Sequence, residues 1–225
     1  MVHTLSSSRS EQFLRFAMDE KILLFGEFTT KAGRCSPYFF NAGLFNSGRT
    51  MARLARHYAD TIQESGMAFD MIFGPAYKGI PLAVATAMAL ADHHGRDIPF
   101  TFNRKSVKEH GEGGSLVGAP LQGRVLIIDD VISAGTSIRE SVDRIHAANA
   151  QPAGVVIALD RQERGSGDKS AVQEITELYH MPVLAIARLT DLLALLGDTP
   201  EQAGTHAAIL AYRQRYGTET HPKND

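Results

Sequence analysis

The stretch Val125-Leu-Ile-Ile-Asp-Asp-Val-Ile-Ser-Ala-Gly-Thr-Ser137 constrains the chain more than any other. Four apolar residues, three of them β-branched, run without interruption into two adjacent acids, Asp129 and Asp130, and then into a loop of small residues. Unbroken apolarity suits a parallel strand buried on both faces, which ends where open α/β sheets place their ligands. The small-residue loop leads into a helical pattern, so it offers backbone N–H groups and hydroxyls where the helix dipole favours an anion. Carboxylates beside such a cradle suit a ligand with both a phosphate and hydroxyls, such as a sugar phosphate, or a bound cation.

The flanking sequence supplies the sheet. Residues 70–73, 98–102, 154–159 and 183–187 read as short buried strands, alternating with helical patterns. Met51, Leu54, Ala55, Tyr58 and Ile62 fall at helical spacing, and Pro81 suits the first turn of an apolar helix to about residue 91. Alternating strands and helices predict a doubly wound, mainly parallel sheet flanked by helices. Ahead of it, Ser8-Arg-Ser-Glu11 predicts a capping box, with Phe13, Phe16, Ala17 and Leu24 on one helical face. Strand-like pieces at 27–30 and 38–41 suggest a β-hairpin. Thr190 is expected to cap a short helix, and Thr199-Pro-Glu-Gln202 to open the last one. One domain of 225 residues is expected, with about 1–45 forming a hood over the ligand edge, 66–187 the core sheet, and 188–217 the C-terminal helices.

Charge and cysteine usage narrow the class. Lys+Arg 23 against Asp+Glu 25 gives no basic signal for nucleic acid. The single cysteine, Cys35, excludes an intramolecular disulfide and fits a reducing compartment. No apolar signal core stands at the N-terminus, and the most apolar run, 80–91, is far below the roughly 18–20 residues that span a bilayer. A soluble, cytoplasmic protein that binds neither membrane nor nucleic acid is expected.

Cations stand near the other strand ends: Lys78 after the first, Arg104 and Lys105 after the second, Arg161 after the fourth. Any one lysine is most simply a solvated side chain. Three cation clusters converging with the acid pair on one crevice point instead to a ligand with more than one anionic group. The segment 103–120, with Lys105, Lys108, His110 and several glycines, reads as a mobile loop, and functionally as a lid that brings cations to a charged leaving group. Acids at a strand end also occur in receiver domains, but those need no phosphate-cradling sequence after the acids. The chain has no P-loop, no His-Glu-x-x-His and no Cys/His cluster, so no dedicated metal site is expected.

With these residues laid out, the chain resembles the type I phosphoribosyltransferases, and among them the orotate phosphoribosyltransferases. The resemblance rests on 125–137, on Lys31-Ala-Gly-Arg-Cys-Ser-Pro-Tyr-Phe-Phe-Asn41, on Gly74-Pro-Ala-Tyr-Lys-Gly79, on the Asn103-Arg-Lys and Lys108-Glu-His-Gly-Glu-Gly-Gly114 pieces, and on Leu159-Asp-Arg-Gln-Glu-Arg164. It implies transfer of the 5-phosphoribosyl group from 5-phosphoribosyl-1-diphosphate (PRPP) to orotate, giving orotidine 5′-monophosphate and diphosphate in pyrimidine (UMP) synthesis. It implies that Asp129 and Asp130 hold the ribose hydroxyls, and that Val131, Ile132, Ser133, Ala134, Gly135, Thr136 and Ser137 wrap the 5′-phosphate. Lys31, Tyr77, Lys78, Arg104, Lys105, Lys108 and His110 would complete the PRPP site, the last three acting in catalysis with the two acids. Lys31, Phe39, Phe40, Ser133 and Arg161 would surround orotate, with Arg161 facing its carboxylate. The resemblance also implies a homodimer whose lid residues Lys105, Lys108 and His110 act in the neighbour's site, and Mg²⁺ held mainly by substrate and water. Ser133 stands where many members carry threonine, and the hydroxyl is retained. Because cleavage at the anomeric carbon makes ribose positive and diphosphate negative, acids and cations are expected to sit apart. A regulator keeping this fold would usually carry a DNA-binding module and a basic face, and the chain has neither.

Overall fold

A computed structural model describes residues 8–30, 33–108, 114–165, 167–197 and 200–218, with the side chains of 105–108 and 114 outside the description. In chain order the elements are α1 (Arg9–Asp19), β1 (Leu23–Thr29), β2 (Cys35–Phe40), α2 (Gly48–Ser65), β3 (Met71–Gly74), α3 (Gly79–His94), β4 (Phe100–Lys108), β5 (Gly114–Gly118), β6 (Arg124–Ile128), α4 (Thr136–Ala147), β7 (Gln151–Asp160), α5 (Ala171–Tyr179), β8 (Val183–Arg188), α6 (Leu189–Gly197) and α7 (Ala203–Tyr216).

Side-chain alternation along the strands divides the core into two layers. In β6, Leu126 and Ile128 face the side covered by α1, α2 and α3, whereas Val125 and Ile127 pack against Ile138, Val142 and Ile145 of α4. Ile72 of β3 and Val156 of β7 join the first layer; Met71, Phe73, Val155 and Ile157 join the second. Both faces of the central strands are thus buried, which is why their sequences are continuously apolar. The sheet order is β5-β4-β3-β6-β7-β8, parallel except for the β4–β5 pair. Chain order reverses between β3 and β6, so the crevice past their C-terminal ends is the natural ligand position.

Several boundaries differ from the sequence expectation. Leu24 lies on β1 and not on the first helix, which Ser8 caps through its hydroxyl while Glu11 pairs with Arg15 and leaves the capping box half made. The hairpin strands are longer than expected, because Leu23 and Leu24 pair with Phe40 and Phe39 ahead of an irregularity between Phe25 and Phe28. Thr190 lies inside α6, and the Asp191 carboxylate accepts the Arg188 N–H instead. Residues 200–202 form a 3-10 turn before α7, and Thr199 lies outside the described residues.

The largest correction concerns 103–120, expected as a loop. It is a hairpin: β4 runs to Lys108, and β5 returns antiparallel with Asn103 opposite Leu116 and Thr101 opposite Gly118. Glycines hid the strand, yet an edge strand needs only one ladder of backbone hydrogen bonds. Gly118 has φ +113°, and a Cβ there would meet the Phe100 carbonyl oxygen at 2.4 Å, so it is glycine because the backbones touch. Of the anticipated lid, Lys105 and Lys108 lie on β4, whereas His110 lies outside the described residues.

The turn after β3 is equally tight. A Cβ on Gly79 would meet Pro75 Cδ at 2.5 Å and the Ile128 carbonyl oxygen at 2.9 Å. The Gly79→Ala variant should therefore lose about 1–3 kcal/mol of stability, read as a lower urea midpoint at unchanged slope.

Candidate active site

Two carboxylates sit side by side where β6 ends, and the local backbone holds both. The Asp130 N–H donates to Asp129 Oδ1 at 2.9 Å, and the Val131 N–H donates to Asp130 Oδ1 at 2.9 Å. The Ser137 hydroxyl donates to Asp129 Oδ2 at 3.0 Å, tying the acids to the first turn of α4. From beneath, the fully buried Tyr58 of α2 donates its hydroxyl to the Asp129 carbonyl oxygen at 2.8 Å. Nothing in the sequence announced that contact, since Tyr58 reads simply as part of a helix's apolar face.

Residues 131–135 bridge β6 to α4. Gly135 takes φ +73° at the helix N-cap and supplies no side-chain cap. The first N–H groups of α4 are therefore left for an anion, which the helix dipole also favours. Lys78, at the N-cap of α3, likewise provides no side-chain cap, so two uncapped helix N-termini border the crevice. Beside the first turns of α4 lies a cleft of about 460 Å³ lined by residues that include Pro75, Ala76, Asn103, Thr136, Glu140 and Arg144. The Ala76 N–H donates to Asn103 Oδ1 at 2.9 Å, which fixes the turn after β3 against β4. Tyr77 is exposed there, and Arg104 lies on β4 beyond the end of its pairing with β3.

The expectation that acids and cations stand apart holds only in part. Lys78 Nζ donates directly to Asp130 Oδ2 at 2.6 Å. Two neighbouring buried carboxylates repel, and the lysine offsets part of that cost. Arg161 follows β7 as expected, but it is bound to Glu163 and to Ser36 of the hood hairpin. Phe39 and Phe40, being consecutive on β2, face opposite sides: Phe39 is exposed and stacks on Phe28, while Phe40 is buried beside Phe13 and Phe45. Ser133 and Ala134 are exposed in the loop. Lys105 and Lys108 lie on β4 with side chains outside the description, and Lys31 and His110 lie outside the described residues. Among the described residues no group of three or more His, Cys, Asp or Glu side chains could hold a metal ion, and no helix is long and apolar enough to cross a membrane.

Burial, and then the negative charge of Asp130, push the Asp129 carboxyl up to about 7. An aspartate in an unfolded chain titrates near about 3.9, so the folded protein keeps a proton that the unfolded chain has lost. The stability Asp129 contributes is full below that value and is lost as pH rises through about 7. Asp129→Asn retains the partners and removes the charge. Without substrate it should melt at least about 3 °C above the parent at pH 8 and close to it at pH 4, by thermal unfolding at both values, while losing activity.

This geometry has counterparts. Residues 44–183 match the family model for the phosphoribosyl transferase domain. The chain is 62% identical over 220 residues to the orotate phosphoribosyltransferase of Bordetella petrii, covering 94% of this chain and 98% of the relative. It is 64% identical over 207 residues to that of Laribacter hongkongensis, covering 92% and 97%. A crystal structure of orotate phosphoribosyltransferase from Francisella tularensis superposes with TM-score 0.85 at 42% identity, covering 92% of this chain and 100% of the other. Over nearly its whole length, in sequence and in fold, the chain is a member of the orotate phosphoribosyltransferases, within the type I phosphoribosyltransferase family.

Proposed function

We propose that this chain performs its family's reaction with the residues described above, joining orotate to the 5-phosphoribosyl group of PRPP and releasing diphosphate and orotidine 5′-monophosphate in pyrimidine synthesis. The observation that carries the reading is the acid pair fixed at the end of β6 directly before an uncapped helix N-terminus. Residues 131–137 hold the 5′-phosphate through backbone N–H groups and the hydroxyls of Ser133, Thr136 and Ser137. Asp129 and Asp130 accept from the ribose 2′- and 3′-hydroxyls. Their charge favours the positive character that grows at the anomeric carbon as its bond to diphosphate breaks.

The diphosphate side is cationic. Lys78, Tyr77, Arg104, Lys31 and the hairpin residues Lys105, Lys108 and His110 take that group, and the lysines balance the negative charge that builds on it. Lys78 exchanges its contact with Asp130 for diphosphate oxygens when Asp130 takes up ribose hydroxyls. Phe39 offers its exposed ring to the orotate plane, Phe40 contributes through its backbone, and Arg161 meets the orotate carboxylate. Most of the rate enhancement is then positioning and electrostatics, with no covalent enzyme intermediate.

Hard oxygen donors are the right chemistry for Mg²⁺, but two carboxylates do not make a cage, so the ion would arrive mainly on substrate oxygens. When bound it supplies neutralisation of diphosphate charge. The protein works in the cytoplasm as a homodimer, with Lys105, Lys108 and His110 reaching the neighbour's site.

Purified protein with orotate, PRPP and Mg²⁺ should deplete orotate and release diphosphate, and no turnover by folded protein would overturn the reading. Lys108→Ala should lower kcat by about 100-fold or more with a much smaller change in the KM for PRPP, because its partner charge develops in the transition state. A mixed dimer of a Lys108→Ala chain and an Asp130→Asn chain should regain activity in one of its two sites.

A further inference from the structure

Arg161 emerges from β7 against Ser36 and Tyr38 of the hood hairpin, and its side chain is only 20% exposed. A guanidinium that buried needs a counter-charge and a fixed orientation to be useful to a ligand. Both come from one residue. Glu163 Oε1 accepts from Arg161 Nε at 2.9 Å and from Nη2 at 2.6 Å, covering one edge of the fork. Ser36 Oγ accepts from Nη2 at 3.2 Å, and the Tyr38 ring lies under the guanidinium carbon at 4.6 Å. Among the described residues none accepts from Nη1, which leaves that side of the fork for a ligand.

Glu163 is itself held from several directions. The Tyr38 hydroxyl donates to the same Oε1 at 3.2 Å, and burial pushes that phenol well above its ordinary range, so it stays a donor at any physiological pH. Arg34 Nη1 lies 3.9 Å from Oε2 and also donates to the Arg164 carbonyl oxygen at 2.9 Å. The backbone of Glu163 pairs with Gly217 at the end of α7, and the Arg164 N–H donates to the Tyr216 carbonyl oxygen at 2.8 Å. A carboxylate anchored on its side chain and its backbone does not swing aside to release the arginine.

We propose that Glu163 is a positioning residue for Arg161, and through it a determinant of selectivity for an acceptor that carries a carboxylate. The inference rests on the reading that Arg161 meets the orotate carboxylate. Glu163 offsets the cost of burying the guanidinium charge, locks its Nε/Nη2 edge, and leaves Nη1 presented. Arg34, Ser36 and Tyr38 of the hood serve the same end, so acceptor recognition depends on how the hood docks against the segment after β7.

The test is steady-state kinetics at saturating PRPP. Glu163→Gln, which keeps shape and loses charge, should raise the KM for orotate about tenfold with the KM for PRPP nearly unchanged, and should lower the melting temperature because the buried guanidinium loses its counter-charge. In an Arg161→Ala background the same substitution should add nothing, an interaction a general loss of stability would not produce. An unchanged or lowered orotate KM in Glu163→Gln would overturn the inference, the lowered value marking Glu163 as a competitor for the arginine. If Arg161→Ala raises the orotate KM and Glu163→Gln does not, only the role of Glu163 falls. If Arg161→Ala has no effect, the reading of Arg161 falls and this inference with it. Should Glu163→Gln fail to fold, Tyr38→Phe decides: a two- to threefold rise in orotate KM supports the positioning role, and no rise rejects it.

Discussion

Two carboxylates held side by side in a largely buried position are the costly arrangement around which this molecule is organised. Left alone they would repel each other and take up a proton. Several elements hold them together nonetheless, although the Asp129 carboxyl is still pushed up to about 7. Strand β6 delivers them together, two successive N–H groups and Ser137 fix the oxygens, Tyr58 of α2 pins the Asp129 carbonyl, and Lys78 offsets part of the charge. These partners come from α2, from the turn before α3 and from α4, so both layers of the core converge on the pair. Such pre-organisation is what electrostatic catalysis requires, because the groups need no rearrangement as charge develops.

The rest of the site follows from sheet topology. Reversal of strand order between β3 and β6 opens a crevice bordered by two uncapped helix N-termini, one beside the acids and one bearing Lys78. Each can face one anionic end of a doubly phosphorylated ribose. The third region, proposed above to receive the acceptor base, depends on the hood. Arg161 reaches it from β7, but Ser36 and Tyr38 of β2 and Tyr212 and Tyr216 of α7 shape its surroundings. On the proposed reading, the ribose-phosphate half belongs to the parallel core, while the acceptor half is shared between core and hood.

The parallel core was legible in the sequence because strands buried on both faces must be continuously apolar, and 125–128 and 154–159 are. The acid pair and its loop were legible because small residues and glycine at a strand-to-helix turn have few other uses. The β4–β5 hairpin was not, since edge strands tolerate glycine and mixed polarity, which local composition reads as loop. Contacts across long sequence separations were equally hidden. Tyr58 to Asp129, and Ser36 and Tyr38 to the Arg161–Glu163 pair, depend on tertiary packing and leave no periodic trace. Glu163 did carry a signal, an acid two residues after a strand-end arginine, which spacing alone could not turn into a contact.

If the acid pair clamps ribose hydroxyls while the loop after it holds phosphate, the two functions should separate on mutation. Isothermal titration of PRPP with Mg²⁺ into the parent protein and into an Asp129→Asn, Asp130→Asn double variant measures this directly. The variant, folded and with its loop intact, should bind PRPP at least about a hundredfold more weakly but take inorganic phosphate at least as tightly as the parent. PRPP binding equal to the parent's would contradict it.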